Sequence, residues 1–198
     1  QSSRKNDASD SSWNLNGAGL EVSHKYGFGA VDAGAAVGLA ENWTSSGAEI
    51  NASFGPFLPG TDIDDGSGIW SEFNLSVPLD IALESIDVFV DIDHTSRGNL
   101  DIVLESPSGH ESWLAEKHSD SNNDYDDWMF GTVQHWGESS QGIWKLKIRD
   151  TVNGDSGTLN SCEVVFHGVV NVSDFDGDGW PDFNEDDEDD DGWTDDDE

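Results

Sequence analysis

Residues 171–198 hold 15 acidic side chains and no Lys or Arg, and these acids follow a regular spacing. The stretch 174–185 places Asp at loop positions 1, 3, 5 and 9, Gly at position 6 and Glu at position 12. A calcium-binding loop of about 12 residues fills these positions with oxygen ligands. The predicted ligands of this first loop are the carboxylates of Asp174, Asp176, Asp178, Asp182 and Glu185 and the backbone carbonyl of Trp180.

The same spacing is repeated in the stretch 187–198, which begins 13 residues after the start of the first loop. Both stretches carry Gly-Trp at positions 6 and 7, which random acidic sequence rarely produces. Because the ligands are hard oxygens without Cys or His, the pattern predicts Ca²⁺ rather than a transition metal. The predicted ligands of the second loop are Asp187, Asp189, Asp191, Asp195 and Glu198 and the carbonyl of Trp193.

A solvated acidic tail without a bound ion is the alternative for this stretch, because blocks of like charge repel and are usually disordered. We expect that state without calcium, and we expect calcium to order 174–198 into a stiff spacer. The flanks lack helical heptads and the two loops nearly abut. In this respect the tail resembles thrombospondin type 3 calcium repeats more than paired EF-hands.

The cysteine and histidine residues favour structural roles. Cys162 is the single cysteine, so no disulfide can form within the chain, and its strand-like surroundings predict a buried apolar side chain. The six histidines show no zinc-ligand spacing. We therefore expect His94, His135 and His167 to be ordinary polar residues that can titrate near neutral pH.

A further acidic group lies in the middle of the chain, at Asp124, Asp126 and Asp127. These carboxylates could bind a cation in a loop. A solvated acidic loop is the plainer interpretation, because acidic runs usually face solvent.

The charge balance of the chain limits its partners. The net charge is −34, from 42 acidic and 8 basic residues. Removing the 15 acids of the tail leaves 27 acidic and 8 basic residues, a charge of −19, for residues 1–170. Such a surface repels nucleic acid and anionic membranes and suits cations, high salt or a basic partner. No run of 18 apolar residues occurs, so no membrane span is expected.

Alternating apolar and polar residues dominate from about residue 69 to residue 170, a period of two that is typical of strands with one buried face. Turn signals such as Ser106-Pro107-Ser108-Gly109 separate the strands. Many short antiparallel strands with regular turns predict a mainly β fold, a sandwich or jelly roll. The predicted inward-facing residues are Ile86, Val88, Val90, Ile92, Leu100, Ile102, Leu104, Trp144, Leu146, Ile148, Cys162, Val164 and Phe166.

The first third of the chain has a different pattern. Residues 1–22 are polar and contain Gly, which predicts a loop, whereas 30–42 show apolar spacings of three and four, which predict a short helix with Asp32 near its start. Residues 44–68 are expected to form a linker and a leading strand.

Two glycines, Gly98 and Gly109, are expected at turns that need positive φ. Trp128, Trp136 and Trp144 are expected in core or inter-domain packing.

The motif SHKYGFGAVDAGAAVGLAENW, residues 23–43, resembles the closing segment of the catalytic domain in kexin/furin-type proprotein convertases, which are subtilisin-like serine proteases. The family's nucleophilic serine lies upstream of this segment, and the 22 residues that precede it here contain no Gly-Thr-Ser-type turn. We therefore interpret the chain as a fragment whose first residue is not a natural start. Three later motifs resemble the P domain, or Homo B domain, of the same family. These motifs are RGNLDIVLESPSG at 97–109, DYDDWMFGTVQHWGESSQGIWKLKIRD at 124–150 and GTLNSCEVVFHG at 157–168.

The resemblance implies three regions, which are a C-terminal remnant of a subtilisin-like catalytic domain at 1–45, a P domain at 46–170 and acidic calcium-binding repeats at 171–198. It also implies a galactose-binding-like jelly roll that docks on the catalytic domain, supports its folding and modulates its calcium and pH dependence. No catalytic residue is expected here, since no Ser-His-Asp set with the family's local motifs can be assembled. Two departures, Asn99 where the family often has Asp and the absence of paired cysteines, favour a prokaryotic relative.

The leading functional hypothesis is the accessory part of a secreted or cell-surface, calcium-dependent serine endopeptidase that cuts after basic residues. Its partners would be the catalytic domain in cis and the protein substrates of the parent. An extracellular, calcium-dependent binding or adhesion module is the alternative, with Trp113, Trp128 or Trp136 exposed at a loop end. The acidic surface of a halophile without a specific partner is a third interpretation, but it leaves the spacing of the tail unexplained.

Overall fold

The computed structural model describes residues 2–43, 47–66 and 68–170. Within these ranges the chain is mainly β, with one short α-helix. Nine strands form two antiparallel sheets. Their bounds are β5 Ile50–Phe57, β6 Thr61–Ile63, β7 Ser71–Val77, β8 Ile81–His94, β9 Leu100–Glu105, β10 Glu111–Ala115, β11 Tyr125–Thr132, β12 Gly142–Asp150 and β13 Gly157–Val170.

The order of the strands is that of a jelly roll. One sheet has the order β11-β8-β13-β5, with β6 pairing the start of β13, and the other has the order β10-β9-β12-β7. If β6 is left out and the other eight strands are numbered 1 to 8 in chain order, the first sheet has the order 1-8-3-6 and the second has the order 2-7-4-5. This is the arrangement of two interlocked Greek keys, which confirms the predicted jelly-roll β-sandwich.

The core lies between the two sheets and is built from the alternating residues of the longest strands. Strands β8 and β13 pair along nearly their whole length, from Gly157 opposite His94 to Val170 opposite Ile81. The inward positions predicted for these two strands are all buried, which confirms the period-two pattern. Strand β12 adds the largest fully buried side chain, Trp144, which packs against Phe166 with ring centroids 5.1 Å apart.

Strand β9 departs from simple alternation, because Asp101 and Val103 on its outer side are buried as well. The residues opposite Val103 are Trp113 on β10 and Lys147 on β12, two long side chains on the same face of the sheet. Asp101 is held by a two-pronged ion pair, accepting from Nε of Arg149 at 2.9 Å and from its Nη2 at 2.8 Å. A layer of aromatic and basic side chains therefore covers this outer face, which periodicity alone does not show.

Residues 2–43 form a separate segment beside the sandwich, which we call the leading segment. It contains two small ribbons, β1 Ser3–Arg4 with β4 Ala30–Val31 and β2 Trp13–Leu15 with β3 Glu21–Ser23. The prediction of a loop over 1–22 is thus wrong for part of this stretch, because strands of two or three residues are too short to show a period.

The predicted helix is present as α1, Ala33–Ala40, and is shorter than 30–42 because Ala30 and Val31 pair in a ribbon. Asp32 is its N-cap, and one of its carboxylate oxygens accepts a hydrogen bond from the Ala35 N–H at 3.0 Å. No residue of α1 is buried.

The two glycines that were expected at turns have different reasons to be glycine. Gly109 has φ of +85°, as predicted. Gly98 does not lie in the left-handed region, so that prediction is wrong. A Cβ at Gly98 would lie 2.3 Å from the carbonyl oxygen of Asp120, so close backbone approach requires glycine there.

Candidate functional site

The leading segment meets the sandwich at one end, where Asn16 and Gly17 lie against two turns. One turn joins β9 to β10 and carries Ser108, and the other joins β11 to β12 and carries His135 and Glu138. We call this contact the seam. Since it joins the two parts of the chain that resemble different domains, we treat it as the candidate functional site.

Glu138 is the centre of the seam and is almost completely buried. Its Oε1 accepts hydrogen bonds from the Gly17 N–H at 2.9 Å and from Nδ1 of His135 at 3.3 Å. Its Oε2 accepts from the Ser108 hydroxyl at 3.2 Å. Although burial alone raises the pKa of Glu138, the hydrogen bonds from His135 and Gly17 hold it below its usual value. The carboxylate is therefore ionised and joins three chain segments.

Asn16 makes the complementary contact from the leading segment. Its Nδ2 donates to the carbonyl oxygens of Gln134 at 3.1 Å and Trp136 at 2.9 Å. Its Oδ1 accepts from the N–H groups of Ala18 at 3.1 Å and Leu20 at 3.0 Å. The amide uses both its donor and its acceptor sides, which is how a buried Asn avoids a desolvation penalty.

Two histidines pack behind Glu138. The rings of His110 and His135 meet edge to face with centroids 5.2 Å apart, and His135 packs in the same way on Trp144 at 5.0 Å. Both histidines are buried. Since an ionised carboxylate only accepts hydrogen bonds, the Nδ1 atom of His135 that faces Glu138 carries a proton. Burial, together with the neighbouring His135, lowers the pKa of His110 below its usual value.

A cleft of about 570 Å³ opens beside the seam, between the leading segment and the turn that carries Ser108. Its walls are mostly polar and include His24, Lys25, His110, Glu111 and Trp113. Lys25 is paired with Asp10, Nζ to Oδ2, at 3.0 Å.

The twelve predicted calcium ligands, from Asp174 to Glu198, lie outside the described residues. Among the residues that are described, no group of three or more His, Cys, Asp or Glu is arranged to hold a metal ion. In the central acidic group, Asp126 and Asp127 are exposed, whereas Asp124 accepts a hydrogen bond from the His94 N–H at 2.7 Å.

Cys162 is buried as predicted, and desolvation raises the pKa of its thiol to about 12. The prediction for the tryptophans is confirmed only for Trp144, which is fully buried. Trp128 is 41% exposed and Trp136 is 46% exposed. Trp128 belongs to edge strand β11, and Trp136 lies in the turn that follows this strand.

No pattern in the amino-acid sequence indicates the seam. Asn16 and Gly17 lie about 120 residues from the groups they bind. A lone Glu between Gly137 and Ser139 has the local signature of an exposed turn. Only the closure of the sandwich brings the two turns together beneath the leading segment.

Apolar side chains are exposed on the leading segment. Val37 and Leu39 on α1 are 64% and 54% exposed, and Val31 and Trp43 at either end of the helix are exposed more strongly still. Exposed apolar residues that cluster on one short segment are characteristic of an interaction surface. The described residues contain no helix long and apolar enough to cross a membrane.

The sandwich can be assigned to a class by comparison with known proteins. Residues 83–166 match the family model of the proprotein convertase P-domain. This part of the chain, a jelly roll with a seam at one end, is therefore a P domain of the furin-like proprotein convertase type.

Individual relatives agree with this assignment. The chain is 35% identical over 153 residues to PC3-like endoprotease variant B of Hydra vulgaris. The aligned region covers 74% of this chain and 22% of that protein. It is 34% identical over 164 residues to furin of Homo sapiens, and this aligned region covers 80% of this chain and 21% of that protein. The chain thus spans about a fifth of the length of these curated relatives.

A solved structure shares the fold. The serine protease of Aeromonas sobria, in its complex with a chaperone, superposes with a TM-score of 0.70 at 22% identity, which covers 79% of this chain and 33% of that one. At this level of identity the likeness concerns the fold alone.

Proposed function

We propose that this chain is the accessory, stabilising end of a secreted, calcium-dependent, subtilisin-like serine endopeptidase. In this proposal the leading segment is the closing part of the catalytic domain, and the P domain holds it in place through the seam. The observation that carries the proposal is Glu138, a buried carboxylate of the P domain whose hydrogen bonds reach the Gly17 backbone of the leading segment. The chain supplies support rather than catalytic groups, and its partner is the remainder of the catalytic domain in cis.

The exposed apolar side chains of α1 support the same proposal. An eight-residue helix with no buried residue gains little stability from its own hydrogen bonds. Covering Val37 and Leu39 with a catalytic domain would bury this apolar area and favour the helix.

The test begins with the coding region upstream of Gln1, expressed together with this chain. A Gly-Thr-Ser turn a few tens of residues before Ser23, with Asp and His motifs further back, is the expected sequence. In that parent, Val37→Asp and Leu39→Asp should reduce the yield of active, folded protease. Leu58→Asp, at a comparably exposed apolar position in the sandwich, is the matched control and should leave the yield unchanged. An unrelated upstream domain would overturn the proposal.

We also propose that the tail from Asp174 to Glu198 binds two calcium ions. The repeated spacing of oxygen ligands supports this proposal. The direct test is Tb³⁺ luminescence excited through Trp180 and Trp193 and its displacement by Ca²⁺. Glu185→Gln with Glu198→Gln, which removes the last ligand of each loop, should abolish the signal, whereas Asp186→Asn with Asp196→Asn, outside the ligand positions, should preserve it. An equal signal in both variants would contradict the proposal.

The adhesion module remains a second candidate, favoured by the half-exposed rings of Trp113, Trp128 and Trp136. Stacking on exposed rings is one way in which jelly-roll domains can hold a ligand. The upstream sequence separates the two candidates, because an adhesion module has no need of the closing segment of a protease.

A further inference from the structure

Strand β7 is an edge of the four-stranded sheet and, among the described residues, pairs only with β12. The backbone N–H and C=O groups of alternate residues therefore point away from the sheet. The one further hydrogen bond that the described residues add lies at the start of the strand, from the Ser71 hydroxyl to the Asp62 carbonyl at 2.7 Å. An unpaired edge of this kind can accept a strand from another chain.

The edge strands other than β7 each carry a feature that hinders such pairing. Strand β5 contains Pro56, which has no N–H to donate, and its pairing with β13 is interrupted by a shift of register. Strands β10 and β11 are broken by shifts of register after Trp113 and Tyr125. In contrast, β7 pairs with β12 over all seven residues without a shift, and it contains no Pro, Lys or Arg.

The sheet that contains β7 is also the less acidic of the two. Its four strands hold five acidic and three basic residues, a charge of −2, whereas the five strands of the other sheet hold eight acidic residues and no Lys or Arg, a charge of −8. The three basic residues are Lys145, Lys147 and Arg149 on β12, the strand next to β7. Two copies of this acidic chain therefore repel each other least along this sheet.

The sequence of β7 is compatible with pairing to itself. Glu72, Asn74 and Ser76 are exposed on the outer face, whereas Phe73 and Leu75 point inward. Because the strand has seven residues, a full-length antiparallel pair of two copies is centred on Asn74. This register places Glu72 opposite Ser76 of the second copy, so no charge faces a like charge. It also places Phe73, which is only partly buried, opposite Leu75 of the second copy, which extends the apolar row across the boundary.

We propose that β7 is a dimerisation edge, at which two copies of this chain pair their β7 strands antiparallel about a two-fold axis at Asn74. The two four-stranded sheets then form one sheet of eight strands. The interface is isologous and consists mainly of backbone hydrogen bonds, as in other cases of strand addition. Seven residues from each copy make a small interface, so we expect a weak and reversible dimer. This inference goes beyond the proposed function, because it names a partner other than the catalytic domain.

The first test is sedimentation equilibrium of the 198-residue chain in about 0.15 M NaCl with EDTA, which excludes bridging by calcium. We expect the mass to rise with concentration from 21.5 kDa towards twice that value, with half of the chain dimeric at about 0.1 mM. A chain that stays monomeric up to about 0.5 mM would overturn the proposal and leave the edge to a strand of a different protein.

Two matched variants locate the interface. Asn74→Asp places like charges opposite each other at the two-fold axis and should weaken the dimer at least about tenfold. Asn51→Asp makes the same change at an exposed position of edge strand β5 and should leave the dimer unchanged. Both asparagines begin an Asn-X-Ser sequence, so the protein is produced in a host that does not glycosylate. Equal effects of the two substitutions would contradict the proposed interface.

Cysteine cross-linking tests the register and keeps the proposal testable if Asn74→Asp fails to fold. Residues directly opposite each other in an antiparallel pair lie within disulfide range, so Asn74→Cys should form covalent dimers on mild oxidation. Glu72→Cys alone should not, because its counterpart lies about 13 Å away along the strand, whereas a mixture of Glu72→Cys and Ser76→Cys should. Cys162 does not compete, because burial raises the pKa of its thiol to about 12. Equally efficient cross-linking of Asn51→Cys would overturn the pairing.

These measurements are independent of the parent protein. A monomeric chain would sink the dimer and leave the proposed function intact. An unrelated domain upstream of this chain, together with a dimer that Asn74→Asp weakens, would do the reverse.

Discussion

Residues of the same type have different roles in this chain because their surroundings differ. Trp144 points between the sheets, where its Nε1 donates to the Ser140 carbonyl at 2.7 Å. Trp128 lies on edge strand β11 with the guanidinium of Arg97 over its ring, 4.9 Å from the centroid. Burial thus makes the first a core residue, and the strand edge makes the second a surface residue with a cationic neighbour.

We predict that Trp144→Ala destabilises the fold by about 3–5 kcal/mol, because it leaves a large cavity beside Phe166 and His135. Trp136→Ala removes a ring that is nearly half exposed and should cost at most about 1 kcal/mol. Chemical denaturation of both variants checks the pair. Equal losses of stability would contradict the placement of Trp144 in the core.

At the scale of elements, the two parts of the chain are stabilised differently. Strands β8 and β13 are paired on both sides and bury one face of each in the core. Helix α1 is capped by Asp32 and buries nothing. Since helices of this length owe their stability to tertiary packing, α1 should be the first element to open in the isolated chain.

Gly38 offers a direct test of this view. It lies within α1, and nothing surrounds the position where a Cβ would be added. Gly38→Ala should therefore stabilise the helix by about 0.5–1 kcal/mol, through the lower backbone entropy of alanine in the unfolded chain. Slower amide exchange in α1, with unchanged exchange in β13, is the expected result.

Gly29→Ala is the opposing control for the same segment. Gly29 has φ of +97°, and a Cβ there would lie 2.3 Å from the Arg4 carbonyl oxygen. This substitution should disrupt the ribbon of β1 and β4 and speed exchange in both. A stabilised ribbon would contradict the backbone geometry described for it.

At the scale of the whole molecule, most of the few basic side chains contact carboxylates or aromatic rings. Lys5 lies over Trp13, Arg97 over Trp128, and Lys147 and Arg149 over Trp70. The sequence has 42 acidic and 8 basic residues, so there are too few basic side chains to pair one to one with most of the carboxylates. The folded state therefore carries substantial self-repulsion.

Salt should stabilise this protein. Raising NaCl from about 0.02 to 0.5 M shortens the Debye length to a few ångströms and screens the repulsion, so we expect Tm to rise by several degrees. EDTA throughout the thermal melts excludes calcium as the cause, and choline chloride should reproduce the effect. A fall in Tm with salt would show that the ion pairs outweigh the repulsion.

The sequence by itself determined the sandwich. The period of two in strands such as β8 and β13 fixes which face is buried, and turn residues fix where each strand ends, because both are local properties of the chain. The same is true of the start of α1 at Asp32 and of the buried state of Cys162. The ligand spacing of the tail is also a local pattern, and it stays a prediction.

Only the tertiary structure decided how the leading segment is held. Glu138, His110 and Asn16 show no pattern in the sequence, since their partners lie in turns and strands that are distant along the chain. The burial of Asp101 and Val103 on the outer side of β9 likewise depends on neighbouring strands. The period of apolar residues predicts which face of a single strand is buried. The seam depends instead on which turns come together when the two sheets pack, and that contact exists only in the folded chain.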